Sequence, residues 1–218
     1  FLNESLFNER LFKHENQKMN INLNVLSEFD FTVVVDASGS MKEPISSESN
    51  ISRWDFMQES LMGFVIDIEK LDSDGIDLVI FNGVSITKVE NVTSKNIKAT
   101  LSAVNPRSST PLAEALKTSF DMTLRNNKKS CVFVFTDGAP DDRTKVEEVI
   151  KEAASIQESD DSLTLLFIQV GDDVNATKFL KYLDDNISSK FDIVDTYPIQ
   201  EAEKFSSTSE LIATALNG

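Results

Sequence analysis

Three short runs constrain the fold more than anything else in the chain: FTVVV at 31–35, CVFVF at 131–135 and LTLLFIQV at 163–170. None keeps a regular alternation of apolar and polar residues. Strands of that composition are buried on both faces, inside a sheet covered from two sides. Between them lie stretches with helical spacing. The longest opens at Ser52 or Arg53 and carries Trp54, Met57, Leu61, Phe64, Val65 and Ile68 at intervals of three and four. Another starts at Pro111, a residue suited to a first helical turn, and turns Leu112, Ala115, Leu116 and Phe120 inward. Helices are also expected over 95–104, 145–158, 175–183 and 202–216; in that over 145–158, Val146, Val149, Ile150, Ala153 and Ile156 share one face. Residues 77–81 read as a strand, Asn82-Gly83 as a hairpin turn, and 84–89 as an antiparallel return at a sheet edge. A further short strand is expected over 191–194. Strands alternating with helices predict an α/β fold: a doubly wound, mostly parallel central sheet with one antiparallel edge strand and helices on both faces.

Residues 29–218 read as one domain and 1–28 as an N-terminal arm. Residues 1–18 read as an imperfect amphipathic helix whose apolar stripe includes Leu6, Phe7, Leu11 and Phe12, and 19–26 alternate and read as a half-exposed strand or extended arm. An apolar stripe outside the main domain needs a contact, either on the sheet behind it or on another chain.

The formal net charge of −15 should repel phosphates and anionic membrane surfaces, so neither nucleic acid nor membrane is an expected partner. No apolar run approaches the roughly 20 residues of a membrane span. FLNESLFNER lacks the order of a secretion signal, and the start without Met suggests processing or excision from something longer. One cysteine, Cys131, excludes an internal disulfide and fits a reducing compartment; its place inside a strand run makes it a core residue. The single histidine, His14, excludes multi-histidine metal sites.

The first apolar run breaks abruptly into Asp36-Ala37-Ser38-Gly39-Ser40-Met41. Asp36, Ser38 and Ser40 are two apart, so a turning loop can aim one carboxylate and two hydroxyls at one point. That donor set suits a hard divalent cation such as Mg²⁺. The plainer reading is that both serines shape the turn. Further on, Ser108-Ser109-Thr110-Pro111-Leu112 and Phe135-Thr136-Asp137-Gly138 each sit at the edge of a helix or strand pattern. Alone, Thr110 could be an N-cap and Asp137-Gly138 a turn. Asp141-Asp142 and Asp172-Asp173 read as solvated loop charges or caps.

The three loops together resemble the metal-ion-dependent adhesion site (MIDAS) of von Willebrand factor A-type (vWA) domains, in the same order and from residue 29 to the C-terminus. The resemblance implies a Rossmann-like vWA fold. It further implies that Ser38, Ser40 and Thr110 contact the metal directly or nearly so, while Asp36 and Asp137 act partly through water and hold the hydroxyls. Mg²⁺ is the implied ion, with Mn²⁺ or Ca²⁺ as alternatives. IDLVIFN at 76–82, IQVGDD at 168–173, FLKYLDD at 179–185 and FDIVD at 191–195 are similar to bacterial cytosolic members, some in tellurium-resistance and stress gene clusters and some carried by phages. A cytoplasmic location, or a place within a phage or bacterial assembly, is therefore expected.

The function this implies is a non-enzymatic, metal-dependent protein-interaction module that takes an Asp or Glu carboxylate of its partner. Lys42, Glu43 and Glu48, on the polar loop 42–52 that follows the first motif, are placed to help choose that partner. Leu6, Phe7, Leu11 and Phe12 offer a second contact. Two other functions compete. One is a Mg²⁺-dependent phosphoryl-transfer enzyme, for which no obvious base accompanies the metal loops, although Asp141 or Asp142 could be proposed. Against it, the chain has no G-x-x-x-x-G-K-[ST] segment, and Ser38 stands where a D-x-D enzyme has its second carboxylate. A structural component of an assembly would dock through residues 1–18.

Overall fold

A computed structural model describes residues 26–125 and 128–216. The arm stripe Leu6, Phe7, Leu11 and Phe12 lies outside the described residues.

Strand β1, Phe29–Asp36, leads through a short 3-10 turn at Gly39–Lys42 and a surface loop into helix α1, Arg53–Ile68. Strands β2, Ile76–Phe81, and β3, Ile86–Val92, follow, then helices α2, Ile97–Ser102, and α3, Leu112–Thr123. Next come β4, Lys129–Thr136, α4, Arg143–Ser155, β5, Leu163–Gln169, and α5, Val174–Asn186. The chain closes with β6, Val194–Pro198, and helices α6, Ile199–Ala202, and α7, Thr208–Ala215.

The sheet order is β3-β2-β1-β4-β5-β6, parallel except for the β2–β3 pair, as expected of a doubly wound sheet with one antiparallel edge. The side chains of β1 alternate between two cores. Phe31, Val33 and Val35 join α1 and α7 on one face, whereas Val34 joins α3, α4 and α5 on the other. That two-sided burial is why the central strands contain so few polar residues. On the first face Phe64 of α1 stacks edge-on against Phe133 and Phe135, at 4.3 Å and 5.9 Å between ring centres. These contacts, each worth about 1 kcal/mol beyond burial, fix α1 over β4 and so place its first residue, Arg53, near the end of that strand. Cys131 is fully buried, and burial pushes its thiol well above the ordinary range.

Four expectations are corrected. The last strand is Val194–Pro198 rather than 191–194: Ile193 is buried beside the sheet and its carbonyl accepts from the Leu165 amide, but pairing begins at Val194. β6 is an edge strand, so its polar residues carry no apolar signal. The closing helix is two helices. Ser207 caps the second through the Glu210 amide, and Ser206 donates twice to the Glu210 carboxylate, which breaks the run. Ile156 is not inward; it follows the last turn of α4 and is 64% exposed. Leu26, the end of the stretch read as extended, is helical and buried in the core.

Candidate metal centre

In an open parallel sheet a crevice forms where strand order reverses, outside the carboxyl ends of the strands. Here that point lies between β1 and β4, because the chain runs from β1 outward to β3 and then returns to β4 on the other side. The register pairs Val35 with Phe135, which sets Asp36 beside Thr136 at the crevice. Asp137 is the next residue of the second strand.

Both Asp36 oxygens are held by the protein. Oδ1 accepts from the Ser38 amide at 2.8 Å and Oδ2 from the Thr136 hydroxyl at 2.7 Å. Thr136 Oγ1 in turn accepts from the Gly138 amide at 3.0 Å. Asp36 is fully buried, and burial foremost, then the charge of Asp137, raises its pKa to about 6; the Thr136 and Ser38 bonds pull it back. Asp36 thereby shapes the first loop, turning the Ser38 and Ser40 hydroxyls together at 3.1 Å. Ser38 is buried and Ser40 half-buried.

The second loop is clamped to the first by backbone bonds. The Gly39 amide donates to the Ser108 carbonyl at 2.9 Å, and the Arg107 amide donates to the Ala37 carbonyl at 2.8 Å. Ser108 adopts φ +67, a left-handed turn that lets the chain reverse before Thr110. Gly83 matters here for a reason other than hairpin geometry. Its φ is not positive, and the turn is held instead by the Asn82 side chain, which accepts from the Val84 and Ser85 amides. A Cβ on Gly83 would stand 2.4 Å from Ser109 Oγ and 2.7 Å from the Ser109 amide nitrogen, so the glycine makes room for the second loop. Thr110 is buried and does not cap the helix; Pro111 holds the N-cap position of α3. Thr110 is tied to the third loop twice: its amide donates to Asp141 Oδ1 at 2.9 Å, and its carbonyl accepts from the Asp141 amide at 3.0 Å.

Asp137 is 2% exposed. Its Oδ2 pairs with Arg53 Nη1 at 3.0 Å, while its Oδ1 is buried and has no hydrogen-bond partner. A buried carboxylate oxygen without a partner is costly and calls for one, a water or an ion. Of the residues expected at the site, the structure brings Asp36, Ser38, Ser40, Thr110 and Asp137 to one edge of the sheet. Lys42, Glu43 and Glu48 are exposed on the loop beside it. Asp142 and Asp173 are helix caps, accepting from the Lys145 amide and from the Asn175 and Ala176 amides. Three functional contacts were not anticipated from sequence: the Thr136 hydroxyl, the Asp141 tie and Arg53. Strand register could have flagged Thr136, which must neighbour Asp36 once the first and fourth strands pair. Arg53 and Asp141 carry no local signal.

The sequence profile of the von Willebrand factor type A domain matches residues 31–139, half of the 218-residue chain, and spans all three loops. The chain belongs to the vWA domain family. No curated protein matches it in sequence. Among solved structures the vWA domain is similar to manganese-loaded TRAP protein of Plasmodium vivax, at 15% identity and TM-score 0.55 over 81% of this chain and 71% of that one. It is also similar to the PilB minor pilin of Streptococcus sanguinis, at 15% identity and TM-score 0.58 over 87% of this chain and 62% of that one. A third is a von Willebrand factor type A protein from Catenulispora acidiphila, at 17% identity and TM-score 0.52 over 87% of this chain and 43% of that one. The vWA domain thus spans less than two thirds of the second and third of these chains. At such identities the likeness is one of fold. Among the described residues, no helix is long and apolar enough to cross a membrane.

Proposed function

We propose that this vWA domain is a non-enzymatic protein-interaction module whose partner contact runs through a divalent cation held by Ser38, Ser40 and Thr110, with Asp36 and Asp137 behind them. The observation that carries the reading is the bare, buried Oδ1 of Asp137 at the crevice where the paired Ser38 and Ser40 hydroxyls also meet. The donors are all oxygens and few are charged, which fits Mg²⁺ or Mn²⁺ and not a thiolate- or imidazole-seeking metal. Among the described residues no cluster of three His, Cys, Asp or Glu side chains forms a cage, so carboxylates alone would not hold the ion. The manganese-loaded state of the TRAP structure supports the same ion class. When bound, the cation offers a coordination position to a carboxylate oxygen of another protein.

The chain's own residues do the rest. Asp36 spends both oxygens on the Ser38 amide and Thr136 hydroxyl, so its role is to orient the serine loop. Asp141 ties Thr110 in place. The enzyme alternative would need Asp141 or Asp142 as a base; the first is engaged by the Thr110 amide and the second caps α4, which favours the binding module. Lys42, Glu43 and Glu48 stand on the rim, where charge selects partners and sets salt dependence.

The test is calorimetric titration of the EDTA-stripped protein with Mn²⁺, then with Mn²⁺ plus a glutamate-bearing peptide. One-site binding, a peptide signal only when the metal is present, and loss of both in Ser38→Ala with Ser40→Ala are expected. Metal binding that survives the double substitution would place the ion elsewhere.

A further inference from the structure

We propose that Arg53 is a built-in counter-ion of the metal centre, which stabilises the metal-free domain and holds its metal affinity down. The inference rests on the metal-centre reading above and concerns how the same site is regulated.

Arg53 is seated rather than adventitious. It is the first residue of α1, and its own amide donates to the Glu43 carbonyl at 2.8 Å, closing the surface loop that leaves the first motif. A bridge between Pro44 and Ser52 closes the same loop one step further out. The loop therefore returns its end to the crevice and delivers the guanidinium there. The side chain is 14% exposed, pairs with Asp137 Oδ2 at 3.0 Å, and lies 3.5 Å from the Ser40 carbonyl. Gly171, just after β5, makes the seat: its φ is +99, and a Cβ there would stand 2.6 Å from Arg53 Nε. That Nε is itself buried without a partner, so the group accepts an unmet hydrogen bond in order to reach Asp137.

The charge balance explains why. Asp36 and Asp137 are both buried at the ends of the paired strands β1 and β4, where the charge of Asp137 acts on Asp36. Without a cation, two such carboxylates repel and lack water to screen them. Arg53 supplies one positive charge to the pair. It takes only Oδ2 of Asp137 and leaves Oδ1 without a partner, so it opposes an incoming dication by its charge. Removing that charge should leave a deeper negative well for the metal and a less stable metal-free protein. A full positive charge within a few ångströms in a partly buried site is worth about tenfold or more in cation affinity.

The experiment compares the full chain with Arg53→Gln, Arg53→Met and Arg53→Lys after EDTA treatment and desalting. It reads Mn²⁺ affinity by calorimetry and metal-free melting by circular dichroism. Arg53→Gln should bind Mn²⁺ about tenfold tighter and melt lower without metal, and Asp137→Asn added to it should recover part of the melting loss. Arg53→Met keeps the apolar stem and removes the charge; it should shift affinity the same way if Arg53→Gln folds poorly. Arg53→Lys should stay near the parent affinity. Unchanged or weaker Mn²⁺ binding in folded charge-removal variants overturns the counter-ion and leaves the metal centre standing. Absence of Mn²⁺ binding in the parent and in every variant overturns both.

Discussion

Thr136 gives the sharpest test of how the crevice is built. Its hydroxyl donates to Asp36 Oδ2 at 2.7 Å and accepts from the Gly138 amide at 3.0 Å, and all three residues are buried. Thr136→Val keeps the shape and removes both bonds. The first is a hydrogen bond to a buried carboxylate, worth about 1.5–3 kcal/mol; the second leaves an amide unsatisfied, at about 1–3 kcal/mol. Some relaxation is certain in so large a domain, so a loss of about 3 kcal/mol is expected, equivalent to roughly 6–12 °C in melting temperature. Thr136→Ser keeps the hydroxyl and gives up one methyl, at about 1 kcal/mol. The assay is urea denaturation, in which the midpoint should fall with an unchanged slope. The loss should also depend on pH. The folded Asp36 pKa, raised to about 6 by burial and then by Asp137, means that the charged form is the penalised one. That penalty is absent below the unfolded value near 3.8 and complete above about 6. Thr136→Val should therefore cost more at pH 8 than at pH 4. Equal stability of the Val and Ser variants at pH 8 would refute the bonding scheme.

Three further outcomes follow from other parts of the molecule. Asp195, on the half-exposed edge strand, has its pKa raised to about 7 by burial first and then by Asp184 and Asp192; Asp195→Asn should stabilise the domain by about 1–2 kcal/mol at pH 8, after discounting for solvent screening, and by nothing near pH 3.5, with equal gains at both pH values counting against it. Gly83→Ala should destabilise by about 1–3 kcal/mol and weaken Mn²⁺ binding by pushing the loop of Ser109 away, whereas unchanged metal affinity would separate that loop from the site. Replacing Leu6, Phe7, Leu11 and Phe12 together with Ser should change oligomeric state or partner capture and leave domain melting intact; lost domain stability with unaltered light scattering would mean that the stripe packs on its own domain.

The parts legible in sequence are those whose cause is local. FTVVV and CVFVF could only be doubly buried strands, and once they were parallel neighbours their following residues had to meet at one edge. Asp36, Ser38, Ser40, Thr110 and Asp137 were readable because each sits in a short motif beside such a strand or a helix. What stayed hidden is set by tertiary approach. Arg53 reaches Asp137 across 84 positions, and Asp141 reaches Thr110 across 31, with no periodicity to announce either pair. Asn82-Gly83 does form the hairpin turn between β2 and β3, but that the glycine's small size also makes room for the neighbouring loop has no sequence signal. The start of β6 and the break before α7 escape the sequence pattern for a related reason: half-exposed strands and serine caps carry weak apolar patterns.

The most direct measurement is an anomalous difference map from crystals of the protein grown with Mn²⁺. The expected result is one strong peak at the carboxyl edge of β1 and β4, within coordinating distance of the Ser38 and Ser40 hydroxyls. A crystal whose only peak lies away from this crevice, or one with the crevice filled by the Arg53 guanidinium and no metal at saturating Mn²⁺, would contradict it.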